Sequence, residues 1–213
     1  MKTGSLGDRT DALDRIEVVI QESTTGVLVK TIHHRKWGSS NGRVSYAIKV
    51  PRDADLRIRT TNGRVITDGV NGNHGLRSVN GSISAERMAG SMKTRTTNGS
   101  IDIELTRLNA NEDINLKTVN GSIVLSLPEA TTADLDVTTA NGRIRSDLPV
   151  TIGTASKRKL HGTLNGGGDT RVRVSTVNGS ISLRGVSRGS SIDGRDTHFG
   201  IQQARIPRTG RCR

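Results

Sequence analysis

One six-residue phrase recurs along the chain with its chemistry almost unchanged. It reads TTNGRV at Thr60–Val65, SVNGSI at Ser78–Ile83, TTNGSI at Thr96–Ile101, TVNGSI at Thr118–Ile123, TANGRI at Thr139–Ile144 and TVNGSI at Thr176–Ile181, with a weaker SSNGRV at Ser39–Val44. Between successive asparagines from Asn62 to Asn141 the steps are 18, 18, 22 and 21 residues. Self-similarity at a near-constant step marks a structural unit that buries its apolar face by stacking on its neighbours. The step from Asn141 to Asn178 is 37 residues, close to two periods. It predicts one turn without the motif, an irregular coil through Gly153–Gly168 that includes the run Gly166-Gly167-Gly168.

Thr60, Ser78, Thr96, Thr118, Thr139 and Thr176 stand two residues before the asparagines, and Val65, Ile83, Ile101, Ile123, Ile144 and Ile181 three after. Both columns read as inward-facing. Alternation extends the inward set backward through Ile58, Leu76, Thr94, Leu116, Val137 and Val174, and forward through Thr67, Ala85, Ile103, Leu125, Ser146 and Leu183, so two short strands flank every Asn-Gly. Asn-Gly between such strands signals a hairpin, because both residues tolerate positive φ, and an antiparallel meander is one solution. A meander has no reason to repeat the same Thr, Asn, Gly and Ile at one coil length. An all-β parallel β-solenoid, a single-stranded β-helix with Asn-Gly corners stacked every 18–22 residues, does: it sets identical residues above one another. Asn62, Asn80, Asn98, Asn120, Asn141 and Asn178 would then form a structural ladder of hydrogen-bonded amides, with the Thr hydroxyls bonding along their own column. A second corner is expected at Asp68-Gly69-Val70 and Arg87-Met88-Ala89-Gly90.

Composition fits thin, regularly stacked layers. Trp37, Tyr46 and Phe199 are the only aromatic residues among 213, so the interior rests on Val, Ile, Leu and small side chains. Cys212 is the sole cysteine, which excludes an internal disulfide framework and any multi-cysteine metal site; no cofactor is expected. The first fifteen residues form a flexible start with no apolar stretch resembling a signal peptide, and no run is long enough to span a membrane. Residues 16–50 are strand-like but lack the strict motif, as capping strands that protect the first edge would. Residues 51–185 carry the repeats. In residues 186–213 the pattern dissolves into Gly, Ser and Arg, a basic tail expected to be largely disordered.

Tyr46-Ala-Ile-Lys-Val-Pro51, the Asn-Gly series, Leu127-Pro128 before Ala133-Asp134-Leu135, and Gly162-Thr-Leu-Asn-Gly-Gly-Gly168 leading into Val172–Leu183 appear in order. Over roughly residues 40–185 the chain resembles the bacterial putative-adhesin family of β-strand-repeat proteins, a domain of unknown function. The resemblance implies a cell-envelope or extracellular location, whereas the visible start carries no export signal; a truncated start or a cytoplasmic protein would account for that.

Catalysis on a β-helix needs carboxylates clustered on outward positions of neighbouring coils. Asp102 with Glu104 and Asp134 with Asp136 are the candidates, each pair on one strand face and each better read as solvated surface charge. His33 and His34 point to opposite faces of a strand and have no ligand partners at useful spacing. Gly166-Gly167-Gly168 lacks the helix and Lys-Ser/Thr of a phosphate loop. No catalytic, cofactor or metal site follows.

The charge balance of +12 points to anionic partners. Nucleic acid is disfavoured, since the repeats carry no aromatic residues to stack on bases. Three residues before each asparagine, on the outward side, stand Arg59, Arg77, Arg95 and Lys117. Six residues after, an acidic column reads Asp68, Glu86 and Glu104. The leading expectation is a non-enzymatic envelope or surface module whose basic column contacts an anionic polysaccharide, an envelope phosphate polymer or a protein partner. A self-assembling, bactofilin-like scaffold and a polysaccharide-active β-helix enzyme are the alternatives. Truncation after Gly189 is expected to leave the far-UV circular dichroism spectrum and the unfolding midpoint unchanged, because the tail buries too little apolar surface to offset its chain entropy; a cooperative loss of structure on truncation would contradict this.

Overall fold

The computed structural model describes residues 16–24, 26–33 and 44–186. The start expected to be flexible, His34, residues 39–43 of the weak repeat copy and the basic tail beyond Val186 lie outside the described residues. The chain divides into two compact units, Met1–Lys49 and Val50–Arg213.

In the first unit, β1 (Ile16–Ser23) and β2 (Gly26–His33) pair antiparallel, from Ile16 opposite His33 to Ser23 opposite Gly26. They form a two-stranded sheet of their own.

The second unit alternates between two sheets, and every described element in it is a strand. β3 (Leu56–Arg59), β5 (His74–Arg77), β7 (Met92–Arg95) and β9 (Ile114–Lys117) lie in an eight-stranded sheet. β4 (Val65–Asp68), β6 (Ile83–Ala89), β8 (Ile101–Arg107) and β10 (Ile123–Pro128) lie in a six-stranded one. Each strand pairs in parallel with the one a repeat further on: Leu76 lies beside Ile58 and Thr94, and Ile83 beside Val65 and Ile101. The strands before and after one Asn-Gly enter different sheets and never pair with each other. A hairpin would make them antiparallel neighbours, so the meander is ruled out.

The alternation places Leu76, Leu116, Val137 and Val174 of one sheet and Ile103, Leu125, Ile181 and Leu183 of the other in a single buried apolar cluster. Val70 and Met88 at the second corner join it. Ser146 departs from its expected inward column and is exposed. It lies on β12 (Ile144–Ser146), the last strand of the six-stranded sheet, which has a neighbour on one side only.

The stack leaves chain order after β10. β15 (Arg171–Asn178) lies between β9 and β11 (Ala133–Asn141), and β16 (Ile181–Val186) between β10 and β12. From one end of the stack to the other the asparagines therefore run Asn62, Asn80, Asn98, Asn120, Asn178, Asn141. This corrects the expectation of a turn without the motif. The chain places β11 and β12 one rung further out, reverses through β13 (Val150–Ala155) and β14 (Lys159–Leu164), and returns to fill the gap. The reversal is an antiparallel hairpin, not an irregular coil: β14 pairs with β11 and β13 with β14, with a bulge between Ile152 and Thr154. Its connection covers the last corner, Thr139 N–H donating to Arg158 O at 2.9 Å and Ile144 N–H to Lys157 O at 3.3 Å. Identical motifs present the same partners on either side, so a late copy inserts between two earlier ones without a mismatch.

At the corner, each asparagine amide donates to the one before it in the stack: Asn80 Nδ2 to Asn62 Oδ1 at 3.0 Å, Asn98 to Asn80 at 2.9 Å, Asn120 to Asn98 at 2.8 Å, Asn178 to Asn120 at 2.7 Å and Asn141 to Asn178 at 2.9 Å. The Thr hydroxyls do not bond to one another. Thr96, Thr118, Thr176 and Thr139 donate to the carbonyls of Gly81, Gly99, Gly121 and Gly179, one rung away, at 2.8–3.0 Å. Thr60, on the first rung, turns to Asn62 O at 2.9 Å instead. The glycine is set by contact between rungs. A Cβ on Gly81, Gly99, Gly121, Gly179 or Gly142 would stand 1.8–2.3 Å from the glycine carbonyl oxygen of the adjacent rung. Of the six motif glycines only Gly63 has positive φ, at 119°, so the turn argument for Asn-Gly does not apply here.

Gly121→Ala forces apart two backbones that no rotamer change can separate, and is expected to cost more than about 2 kcal/mol of unfolding free energy; urea titration followed by circular dichroism measures it, and an unchanged midpoint contradicts it. A second expectation concerns His74, which is buried on β5 with Nε2 donating to Ala89 O at 3.2 Å. Burial holds its pKa below the ordinary value, against the opposing pull of neighbouring backbone carbonyls and Asp55. The unfolded chain therefore takes up a proton near pH 6.5 that the native state resists. Stability should be level above that pH and fall as pH drops below it, and His74→Leu should flatten this dependence in thermal melts between about pH 5 and 8.

Candidate anion-binding face

The inward residues Ile58, Leu76, Thr94 and Leu116 oblige their neighbours on β3, β5, β7 and β9 to point away from the core. Arg59, Arg77, Arg95 and Lys117 are thereby brought into one register column, each directly beside the next. All four are exposed, and successive strands are about 4.8 Å apart. Beyond Lys117 the column passes through the neutral Ser175 and Thr138 and then reaches Lys159 on β14.

A parallel column, five residues before each asparagine, was missed in the sequence. It runs Arg57, Gly75, Lys93, Asn115, Arg173, Asp136. The signal was present at constant offset but is charged only at alternate early rungs, which hides it from a search for identity.

Among the described residues the recorded ion pairs are Arg87 with Asp68 and Arg173 with Asp136, the latter at 3.6 Å. Neither involves Arg57, Arg59, Arg77, Lys93, Arg95 or Lys117. The carboxylates at the margin of this patch accept backbone donors: Asp55 Oδ1 from Asn73 N–H at 2.7 Å, and Asp113 Oδ1 from Arg171 N–H at 3.2 Å. Within β3, β5, β7 and β9 themselves every charged outward residue is a cation.

On the outer face of the six-stranded sheet, Asp68 lies beside Glu86. The expected continuation to Glu104 is broken, because β6 shifts register against β8 between Ala85 and Met88 and Arg87 adopts φ 50°. The acidic feature is a pair, and Arg87 reaches Asp68 across it.

The carboxylate pairs stand apart. Asp102 lies beside Ser84 and Val124, and Glu104 beside Ser126. Asp136 takes Arg173, while Asp134 lines a shallow depression of about 290 Å³ with Thr151, Gly153, His161 and Thr163. Gly166 and Gly167, at φ 89° and 78°, form the turn after β14, where Asn165 Nδ2 donates to Glu129 O and Thr131 O. Among the described residues no group of three or more His, Cys, Asp or Glu could hold a metal ion, and no helix is long and apolar enough to cross a membrane.

No curated protein matches the chain. Among solved structures it is similar to a "putative cell adhesion protein" from Clostridium sporogenes, at 11% identity and a TM-score of 0.48, covering 80% of this chain and 76% of that one. Residues 16–184 match the Toastrack DUF4097 family, a span that takes in both described units and every Asn-Gly rung from Asn62 to Asn178. The chain belongs to the Toastrack DUF4097 family, in agreement with the adhesin-like resemblance carried by its repeats.

Proposed function

We propose that the stacked rungs constitute a parallel β-solenoid serving as a non-enzymatic, adhesin-like module of the cell envelope or surface, and that its basic face binds an anionic polymer. The observation that carries this reading is the register column Arg59, Arg77, Arg95 and Lys117, exposed on consecutive rungs and without carboxylate partners among the described residues. Like charges directly opposite one another across strands are destabilising by a few tenths of a kcal/mol each. A linear polyanion laid across the strands relieves that repulsion at every rung at once. It gains affinity by multivalency, with each contact weak and screened within about 10 Å at 0.1 M salt. A protein partner with an acidic strip satisfies the same geometry.

The combined variant Arg59→Gln, Arg77→Gln, Arg95→Gln and Lys117→Gln is expected to abolish retention on immobilised polygalacturonate in low salt while leaving far-UV circular dichroism unchanged. Wild-type retention should weaken steeply between about 50 and 200 mM salt. Retention that survives the four changes, or that is lost only on removal of the C-terminal arginines, sinks this reading.

A further inference from the structure

Gly75 occupies the middle of β5 and faces outward, between the buried His74 and Leu76. Glycine in a strand interior weakens it and ordinarily has a local reason: a bulge, a positive φ, or close approach by another group. The other glycines within strands of this unit have one. A Cβ on Gly162 would stand 2.5 Å from Thr151 O, one on Gly185 3.0 Å from Glu129 Cγ, and Gly153 sits at the β13 bulge. Gly75 has none within the fold. Its pairing to β3 and β7 is regular, its φ is not positive, and a Cβ would meet nothing nearer than 3.9 Å.

What surrounds it is cationic. Arg57 and Lys93 lie directly beside it on the adjacent strands, Arg77 follows two residues along its own strand, and Arg59 and Arg95 occupy the diagonal positions. The missing side chain leaves bare backbone as a flat floor with cations on three sides, five in all and four of them arginines, whose planar forks suit two-point recognition of an oxyanion; on the fourth side stand Asn73 and Asp55, whose carboxylate accepts the Asn73 N–H. We propose that Gly75 is the floor of a binding subsite that seats one carboxylate-bearing sugar of a linear acidic polysaccharide against the sheet. This rests on the anionic-polymer reading above and deepens it, since it makes contact at one rung shape-dependent rather than a matter of net charge.

The test leaves every charge in place. Gly75→Val and Gly75→Ala add volume where the fold has room, and a β-branched residue suits a strand; both variants should melt at or above the wild-type temperature. Titration calorimetry with oligogalacturonate at low salt should show affinity for Gly75→Val weaker by on the order of tenfold, with Gly75→Ala intermediate. Inorganic polyphosphate, run in parallel, should show a smaller loss. If wild type binds and Gly75→Val binds equally well, the subsite is refuted while the anionic-polymer reading stands. A loss confined to polyphosphate refutes the sugar assignment, and failure of wild type to bind either polymer overturns both readings. Should Gly75→Val fail to fold, Gly75→Ala decides by the same comparison.

Discussion

The closest approach in the stack is between backbones at the Asn-Gly corner, and the rest of the structure depends on it. Each motif glycine except Gly63 brings its Cα over the glycine carbonyl of the adjacent rung, in space that a single methyl group would fill. With the rungs that close, the asparagine amides come within 2.7–3.0 Å of each other and the threonine hydroxyls reach the same glycine carbonyls. Each such hydrogen bond contributes about 1 kcal/mol net, and leaving one unmade at a half-buried corner costs as much or more. Ser78 shows the tolerance of the scheme: its Oγ is buried without a partner, one omission in a column otherwise satisfied.

That corner also fixes what the outside of the protein presents. Locking the register at one point per rung locks every side chain along the flanking strands into columns, because the strand period is two and no slip is possible without exposing the core. Columns inherit whatever the sequence repeats. On the eight-stranded sheet the repeat contains Arg or Lys at one offset, so charge accumulates as a line. On the six-stranded sheet the same mechanism fails after Asp68 and Glu86, because β6 takes a bulge before the next corner and the register moves on. A bulge at β6 in one sheet and unbroken pairing from β3 to β9 in the other make the two faces electrostatically unlike.

The two ends of the second unit are built differently. At the far end, the eight-stranded sheet closes on an antiparallel hairpin whose outer strand carries a bulge, a common way to discourage further pairing; its connection also covers the Asn141 corner. Arg64 and Arg143 take the position after glycine on the first and last described rungs, where the interior rungs Asn80, Asn98, Asn120 and Asn178 are followed by Gly and Ser82, Ser100, Ser122 and Ser180.

By itself the sequence determined the strands, their inward faces and the parallel stacking of Asn62, Asn80, Asn98 and Asn120, because these follow from a local period of two inside a repeat of nearly constant length. It determined the outward Arg and Lys positions for the same reason. The order of the last rungs was decided only in three dimensions. Asn178 lies between Asn120 and Asn141 because the chain, having left one rung vacant, can return to it only after reversing through β13 and β14, and linear spacing cannot distinguish a skipped turn from a filled gap. The reason for the motif glycine was likewise tertiary: a carbonyl 18 to 58 residues away in the chain, not the conformation of its own turn, forbids a side chain there.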